Sequence, residues 1–325
     1  MAINSGKADI SVLDEQLAAA GLPTGNTIWV NLANAIMEAY SAYSNDSTPS
    51  LPGYHYVTSI WVQEATEDSD ATVGAGQAEA AAATVEIKAA QPEGVLPPWQ
   101  GNTLFGFAAY ADDLSHNIIV LRGTVTDEEA GYDLYGWGTN TPCMLPSGNP
   151  NQSYGNVKQD LYDFYTETDE GLYVSLAASF NAAVQQVAQA NPNKTWIVAA
   201  HSLGGPLATL GALDAYVSGS YTNSALAPWL VTFGSLHLGD QSFATAFKQN
   251  VPTAFRFANL CDFVPSLVSL EPVTLPDPYV HVGLECTFVW QTWSDWGNHS
   301  MQSIYLSVVR DYPSVIHVGP RKYPQ

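Results

Sequence analysis

The sequence predicts an α/β protein, with a mostly parallel central sheet flanked by helices. Short apolar, β-branched runs alternate along the chain with helical stretches that carry one apolar stripe, which is the pattern of strands joined by crossover helices. One of these strands runs straight into a serine set among small residues, with a helix directly behind it, as happens at the carboxyl edge of such a sheet. The length of 325 residues, 46% of them hydrophobic, suffices for a large core and excludes disorder over most of the chain.

Taken in order, Gln16–Ala20 reads as the end of a helix stopped by Gly21, Leu22 and Pro23. Trp29, Leu32, Ala33, Ile36 and Tyr40 recur every three or four residues, an amphipathic helix. Tyr54–Val62 is aromatic and β-branched and predicts a strand. Residues 64–82 are acidic and rich in alanine, so they are expected as an exposed excursion, with a short helix over Ala78–Ala90. Leu104–Tyr110 and Asn117–Leu121 predict paired strands turning at Asp112-Asp113. The Gly-, Pro-, Asn- and Thr-rich stretch 125–154 predicts a long connection, of a length that is usually functional or disordered. A helix is expected over Leu172–Gln189, with Val174, Leu176, Phe180, Val184 and Val187 on its stripe. Next come a strand at Thr195–Ala199, a small-residue helix at Pro206–Val217, a strand at Trp229–Phe233, a helix at Phe243–Lys248 and a strand at Ala254–Asn259. Tyr279–Val282 alternates like a further strand. No linker composition interrupts the chain, and a single domain over residues 1–325 is expected.

Charge narrows the function classes. There are 31 acidic residues against 10 basic ones, for a formal net charge of -21, although only 13% of residues are charged. A surface this acidic repels nucleic acid and anionic membranes. No apolar run reaches the length of a transmembrane segment, and Met1–Lys7 lacks the basic-then-apolar pattern of a secretion signal. Three cysteines without a paired spacing give neither a disulfide framework nor a metal site, so no metal or organic cofactor is expected. The oligomeric state is left open.

The chemistry concentrates at Trp196–Gly205. Ser202 follows the strand with Ala200 two residues before it and Gly204 two after; a serine on a strained strand-to-helix turn needs small neighbours at those places. The following helix directs its free N–H groups and dipole toward that serine. A serine hydroxyl is a weak nucleophile without a histidine base and an acid to orient it. In sheets that carry such a serine turn the chain order is serine, acid, histidine. Asp262 sits at a strand end, with Asp240 as the alternative acid. His281, His299 and His317 follow as candidate bases.

The residues that surround these candidates resemble the class 3 lipases, the fungal-type lipases with an α/β-hydrolase fold. The likeness runs over about residues 104–312. Leu121-Arg122-Gly123-Thr124 resembles the family's apolar-Arg-Gly-Ser/Thr segment, and Val157–Tyr165 resembles its V-H-x-G-F-x-x-x-Y stretch with Lys158 and Asp160 replacing His and Gly. His201–Gly205 resembles the nucleophile motif, Thr232–Ser235 with Gly239-Asp240 the next strand and loop, and Asp262–Pro265 the D-x-V-P acid motif. Tyr279–Gly283 resembles a structural Y-x-H-x-G, and Asn298-His299 the late histidine. An N-terminal extension of about residues 1–100 has no counterpart.

The resemblance implies a carboxylic ester hydrolase, most specifically a triacylglycerol lipase, with Ser202 as nucleophile, His299 as base and Asp262 as the acid that orients it. It implies an oxyanion hole from Thr124 and from the N–H of Leu203. A lid over residues 125–150 is implied, including Leu134, Tyr135 and Trp137, along with an ester or lipid substrate met at an interface and an extracellular setting. A soluble-ester esterase, a phospholipase, a feruloyl-type esterase and an inactive lipid-binding protein on the same scaffold remain alternatives. Arg122 is expected to brace the oxyanion loop, His281 and His201 to pack, and Cys261 to be a buried small hydrophobe.

Overall fold

The computed structural model describes residues 11–63, 102–125, 140–167, 175–221, 227–266, 279–311 and 316–318. The elements are α1 (Ser11–Ala19), α2 (Thr27–Ser44), β1 (Tyr54–Gln63), β2 (Asn102–Ala111), β3 (His116–Leu121), β4 (Asn140–Pro142), β5 (Asn156–Lys158), α3 (Gln159–Thr166) and α4 (Leu176–Ala190). They continue with β6 (Thr195–His201), α5 (Gly204–Val217), β7 (Trp229–Phe233), α6 (Gln241–Asn250), β8 (Ala254–Asn259), β9 (Leu284–Phe288), α7 (Asp295–His299), a π turn (Met301–Tyr305), α8 (Leu306–Asp311) and β10 (His317–Val318).

The main sheet runs β1-β2-β3-β6-β7-β8-β9-β10. Its inner part, from β3 through β6, β7 and β8 to β9, is parallel. The β1-β2-β3 edge and the β9-β10 edge are antiparallel. Side chains on successive strand residues point to opposite faces, and both faces are covered here. Trp196, Val198 and Ala200 of β6, with Ile119 and Leu121 of β3, pack among Phe180, Val184 and Val187 of α4 and Leu207 and Leu210 of α5. Ile197 and Ala199, with Ile118 and Val120, pack among Ile28, Leu32 and Ile36 of α2 and Val308 and Val309 of α8. Each fully buried aliphatic or Phe side chain contributes roughly 1.5–3 kcal/mol.

The N-terminal helix α2 therefore completes one face of the sheet, and β1 extends it. Helix α5 is apolar on all sides because it is buried on all sides. Its one carboxylate, Asp214, accepts from Ser147 N and Oγ, Tyr165 Oη and Asn181 Nδ2 at 2.9–3.2 Å.

The predicted α/β class holds, and most elements lie within a few residues of their predicted positions. Three differences stand out. The predicted connection 125–154 is not plain in its described part: β4 lies within it and pairs with β5, just beyond it, into a small antiparallel sheet. Tyr279–Val282 is not a strand. Val280 makes a lone bridge to Gly239, and the sheet strand forms next along the chain at β9, where β8 and β10 supply partners. Helix α4 begins at Leu176 with Ser175 as its cap, the hydroxyl accepting from Ala178 N; Val174 and the predicted segments 64–82 and 78–90 lie outside the described residues.

Candidate active site

The site forms where β3, β6, β7 and β8 end on one edge of the sheet. Ser202 has a φ of +55°, a left-handed conformation that costs a residue with a Cβ about 1–3 kcal/mol. Its N–H donates to Phe233 O at 3.0 Å, and its carbonyl accepts from Gly205 N at 2.8 Å, so the turn is held at both ends. The small neighbours have steric reasons. A Cβ on Gly204 would stand 2.3 Å from the Arg122 carbonyl oxygen, and one on Gly205 would stand 2.2 Å from Ser235 Oγ. Ala200 lies in register between Leu121 and Thr232 and is fully buried, so the strand accommodates its methyl where the motif more often has glycine.

Ser202 Oγ lies 2.7 Å from His299 Nε2, and His299 Nδ1 lies 2.7 Å from Asp262 Oδ2. All three residues are buried. Asp262 follows β8 and also accepts from Val264 N at 3.0 Å and from Tyr305 Oη at 2.6 Å. Burial, then the neighbouring Asp262, holds the Tyr305 phenol well above its usual pKa, so it acts as a donor. With Nδ1–H donating to the carboxylate, Nε2 is left to accept the serine proton, the tautomer that a general base requires. His299 ends α7, against Gly234 (φ +58°), where a Cβ would come within 2.9 Å of His299 Cε1. Asn298 ties this segment down: its Nδ2 donates to Cys261 O and Gln291 Oε1, while its Oδ1 accepts from Thr292 N.

On the other side of Ser202, Arg122 is wholly buried. Its Nε donates to Leu104 O at 2.8 Å and its Nη1 to Gly123 O at 2.7 Å, and its guanidinium lies over the Tyr43 and Phe105 rings. A Cβ on Gly123 would be 2.6 Å from Ser202 Cβ, so the backbone that leads into Thr124 passes directly against the serine. Leu203 follows Ser202 at the N-terminal end of α5, where the first N–H groups have no partner within the helix.

The other candidates fall elsewhere. Asp240 caps α6, its Oδ1 accepting from Phe243 N and its Oδ2 from Asn156 Nδ2. His281 Nε2 bonds Pro265 O and its ring stacks on His237 at 3.6 Å. His317 lies in the edge strand β10. Cys261 is half-exposed rather than buried, because it sits in the turn that carries the chain out of β8 toward Asp262. All three cysteines are free thiols. Leu134, Tyr135 and Trp137 lie outside the described residues. Among the described residues no His/Cys/Asp/Glu group is arranged to hold a metal, and no helix is long and apolar enough to cross a membrane. Sequence reasoning missed the support given by Tyr305, Asn298 and Tyr40, each of which bonds a partner distant in the chain.

Three histidines, His116 and His201 buried and His281 half-buried, are held neutral mainly by desolvation. His116 is pushed down to about 4, His281 to about 2, and His201 well below the usual value, with His299 adding to the effect at His201. Their folded-state values are depressed, so their contribution is fully present above the unfolded value of about 6.5 and is lost as pH falls toward the folded values. Below about pH 6.5 the unfolded chain takes up protons that the folded chain refuses, at about 1.4 kcal/mol per pH unit per histidine. Stability is therefore expected to fall steeply from near pH 6.5 down to pH 4.5, and urea denaturation across that window checks it. A flat profile above pH 5 would contradict it.

Comparison with known proteins finds similarity to one lipase family over part of the chain. Residues 118–271 match the lipase (class 3) family model. The matched stretch contains Ser202, Asp262, Thr124 and Leu203, while His299 and α2 lie beyond it. A lipase of Caenorhabditis elegans is 30% identical over 167 residues, covering 51% of this chain and 42% of that one. A secreted mono- and diacylglycerol lipase of Fusarium solani is 34% identical over 93 residues, covering 28% and 26%. The solved Rhizomucor miehei lipase propeptide complex is 28% identical with a TM-score of 0.43, covering 57% of this chain and 52% of that one. The chain spans less than half the length of these curated relatives.

Proposed function

We propose that this chain is a serine hydrolase of carboxylic esters, acting as a triacylglycerol lipase through an acyl-enzyme. The observation that carries the reading is the hydrogen-bonded chain Ser202–His299–Asp262 at 2.7 Å per link. In the proposed cycle Ser202 Oγ attacks the ester carbonyl while His299 Nε2 takes its proton. The N–H groups of Thr124 and Leu203 stabilise the oxyanion. His299 then protonates the departing alkoxide, and water repeats the sequence to release the acid. None of these steps needs a metal or organic cofactor.

Preference for esters at a lipid–water interface is supported by the rim of the site. Trp296 is 61% exposed and packs edge-on against Phe263 and His299. Trp293 is 90% exposed and is held at φ +63°, an uncommon conformation for a bulky residue. Tryptophan favours apolar–aqueous boundaries. The lid role of Leu134, Tyr135 and Trp137 belongs to the same proposal. The Caenorhabditis elegans and Fusarium solani relatives are named lipases. A rice relative, 30% identical over 131 residues, is named a phospholipase A1, and it favours phospholipid esters as the second reading.

The test is hydrolysis of acetate and long-chain esters, a triglyceride below and above its solubility limit, phosphatidylcholine, and amide substrates. Long-chain glyceride esters are expected to be cleaved, with a rate jump above the solubility limit; phosphatidylcholine as the better substrate would favour the second reading, and amides alone would overturn both. Burying about 60 Å² of the Trp293 ring at roughly 25 cal/mol per Å² is worth about 1.5 kcal/mol. Trp293→Ala is therefore expected to weaken emulsion hydrolysis about tenfold more than acetate ester hydrolysis; equal effects would remove Trp293 from the interface.

A further inference from the structure

Tyr40 belongs to α2, well before the matched segment, yet its hydroxyl reaches the centre of the site. Gly123 N donates to Tyr40 Oη at 2.8 Å, and Tyr40 Oη lies 2.8 Å from His201 Nδ1. His201 Nε2 lies 3.0 Å from the backbone oxygen of His299. The end groups orient the whole chain of bonds. An amide N–H can only donate and a carbonyl can only accept. Tyr40 Oη therefore accepts from Gly123 and has its own hydrogen for His201 Nδ1. That leaves the His201 proton on Nε2, donated to His299 O. A neutral His201 satisfies every link, and the depressed pKa that burial gives this residue agrees with it. The ring of His201 is also packed against His299, with centroids 4.6 Å apart, and against Tyr40 and Tyr305.

We infer that Tyr40 is a positioning residue for acyl transfer, its hydroxyl linking the backbone that leads into Thr124, through His201, to the backbone that carries His299. The inference rests on the acyl-transfer reading above and adds that the site is incomplete without a helix from outside the matched segment. Gly123 sets the position of Thr124 on one side of Ser202, and His299 stands on the other. Tyr40 and His201 join the two, so the oxyanion donors and the base are held in register across the nucleophile. Displacement of about 1 Å at a reacting centre can cost about a hundredfold in rate.

The experiment compares wild type, Tyr40→Phe, His201→Phe and the double variant on a soluble acetate ester, with the rate of Ser202 phosphonylation by a fluorophosphonate probe and the melting temperature measured alongside. Tyr40→Phe keeps the ring and removes one oxygen. It is expected to lower kcat by about tenfold to a hundredfold with KM within about twofold, and to slow phosphonylation by the same factor. The double variant is expected to be no slower than the worse single variant, within about twofold, because both break one chain of bonds. A packing role alone would lower the melting temperature and leave kcat in place. Should Tyr40→Phe fail to fold, His201→Phe carries the same kcat and KM test. A wild type active on ester and probe, with kcat unchanged in Tyr40→Phe or with the two losses multiplying, overturns the positioning role and leaves the acyl-transfer reading standing. A wild type inert to both overturns the acyl-transfer reading and this inference with it.

Discussion

Ser202→Ala is expected to fold as wild type does and to lose about a millionfold in ester hydrolysis. His299→Ala is expected to lose a similar factor, and Asp262→Asn about ten-thousandfold. The three residues share one hydrogen-bonded chain at 2.7 Å per link, so combining the substitutions should add little to the largest single loss. Asp262→Asn has a specific cause. An amide can donate, which disfavours the Nδ1–H tautomer of His299, and it accepts less strongly from Tyr305 Oη. Steady-state rates with circular dichroism as the check on folding provide the measurement. Retained activity in His299→Ala alongside an inactive His281→Ala would move the base to His281, which the structure instead bonds to Pro265 O.

The second large effect concerns stability. Gly204→Ala places a methyl 2.3 Å from the Arg122 carbonyl oxygen, and that oxygen belongs to backbone braced by the buried Arg122. Neither side can yield without opening the turn at Ser202. A loss of about 3 kcal/mol or more in urea unfolding is expected, at the upper end of overpacking effects. Ala200→Gly, which restores the more usual motif, is expected to cost only about 0.5–1 kcal/mol through backbone entropy and to keep activity. Equal stability in the two variants would show that the turn is looser than its contacts indicate.

The turn at Ser202 was legible because its requirement is local. A strained serine between a strand and a helix demands small residues at fixed places, and Ala200, Gly204 and Gly205 supply them. Asp262 was legible from its position at the end of a strand, and His299 from chain order together with the resemblance. Tyr305, Asn298 and Tyr40 were not, because each acts through a partner tens to more than a hundred residues away: Asp262, Cys261 and His201. Helix α2 illustrates the same limit. The spacing of Trp29, Leu32 and Ile36 marks a buried stripe, but nothing in that spacing says that the stripe covers β2, β3 and β6 or that the next turn delivers a hydroxyl to Gly123. Tyr279–Val282 shows the reverse error. Alternation alone does not make a strand without a neighbour to pair with, and the neighbours, β8 and β10, flank Leu284–Phe288 instead.

The acyl-enzyme account is tested most directly by covalent capture at Ser202. Wild-type protein is incubated with a fluorophosphonate at neutral pH, and the product is followed by intact mass and peptide mapping. The account predicts a single adduct on Ser202, no adduct in Ser202→Ala, and capture slowed by orders of magnitude in His299→Ala. An unmodified wild type, or a label on a different residue that persists in Ser202→Ala, would contradict it.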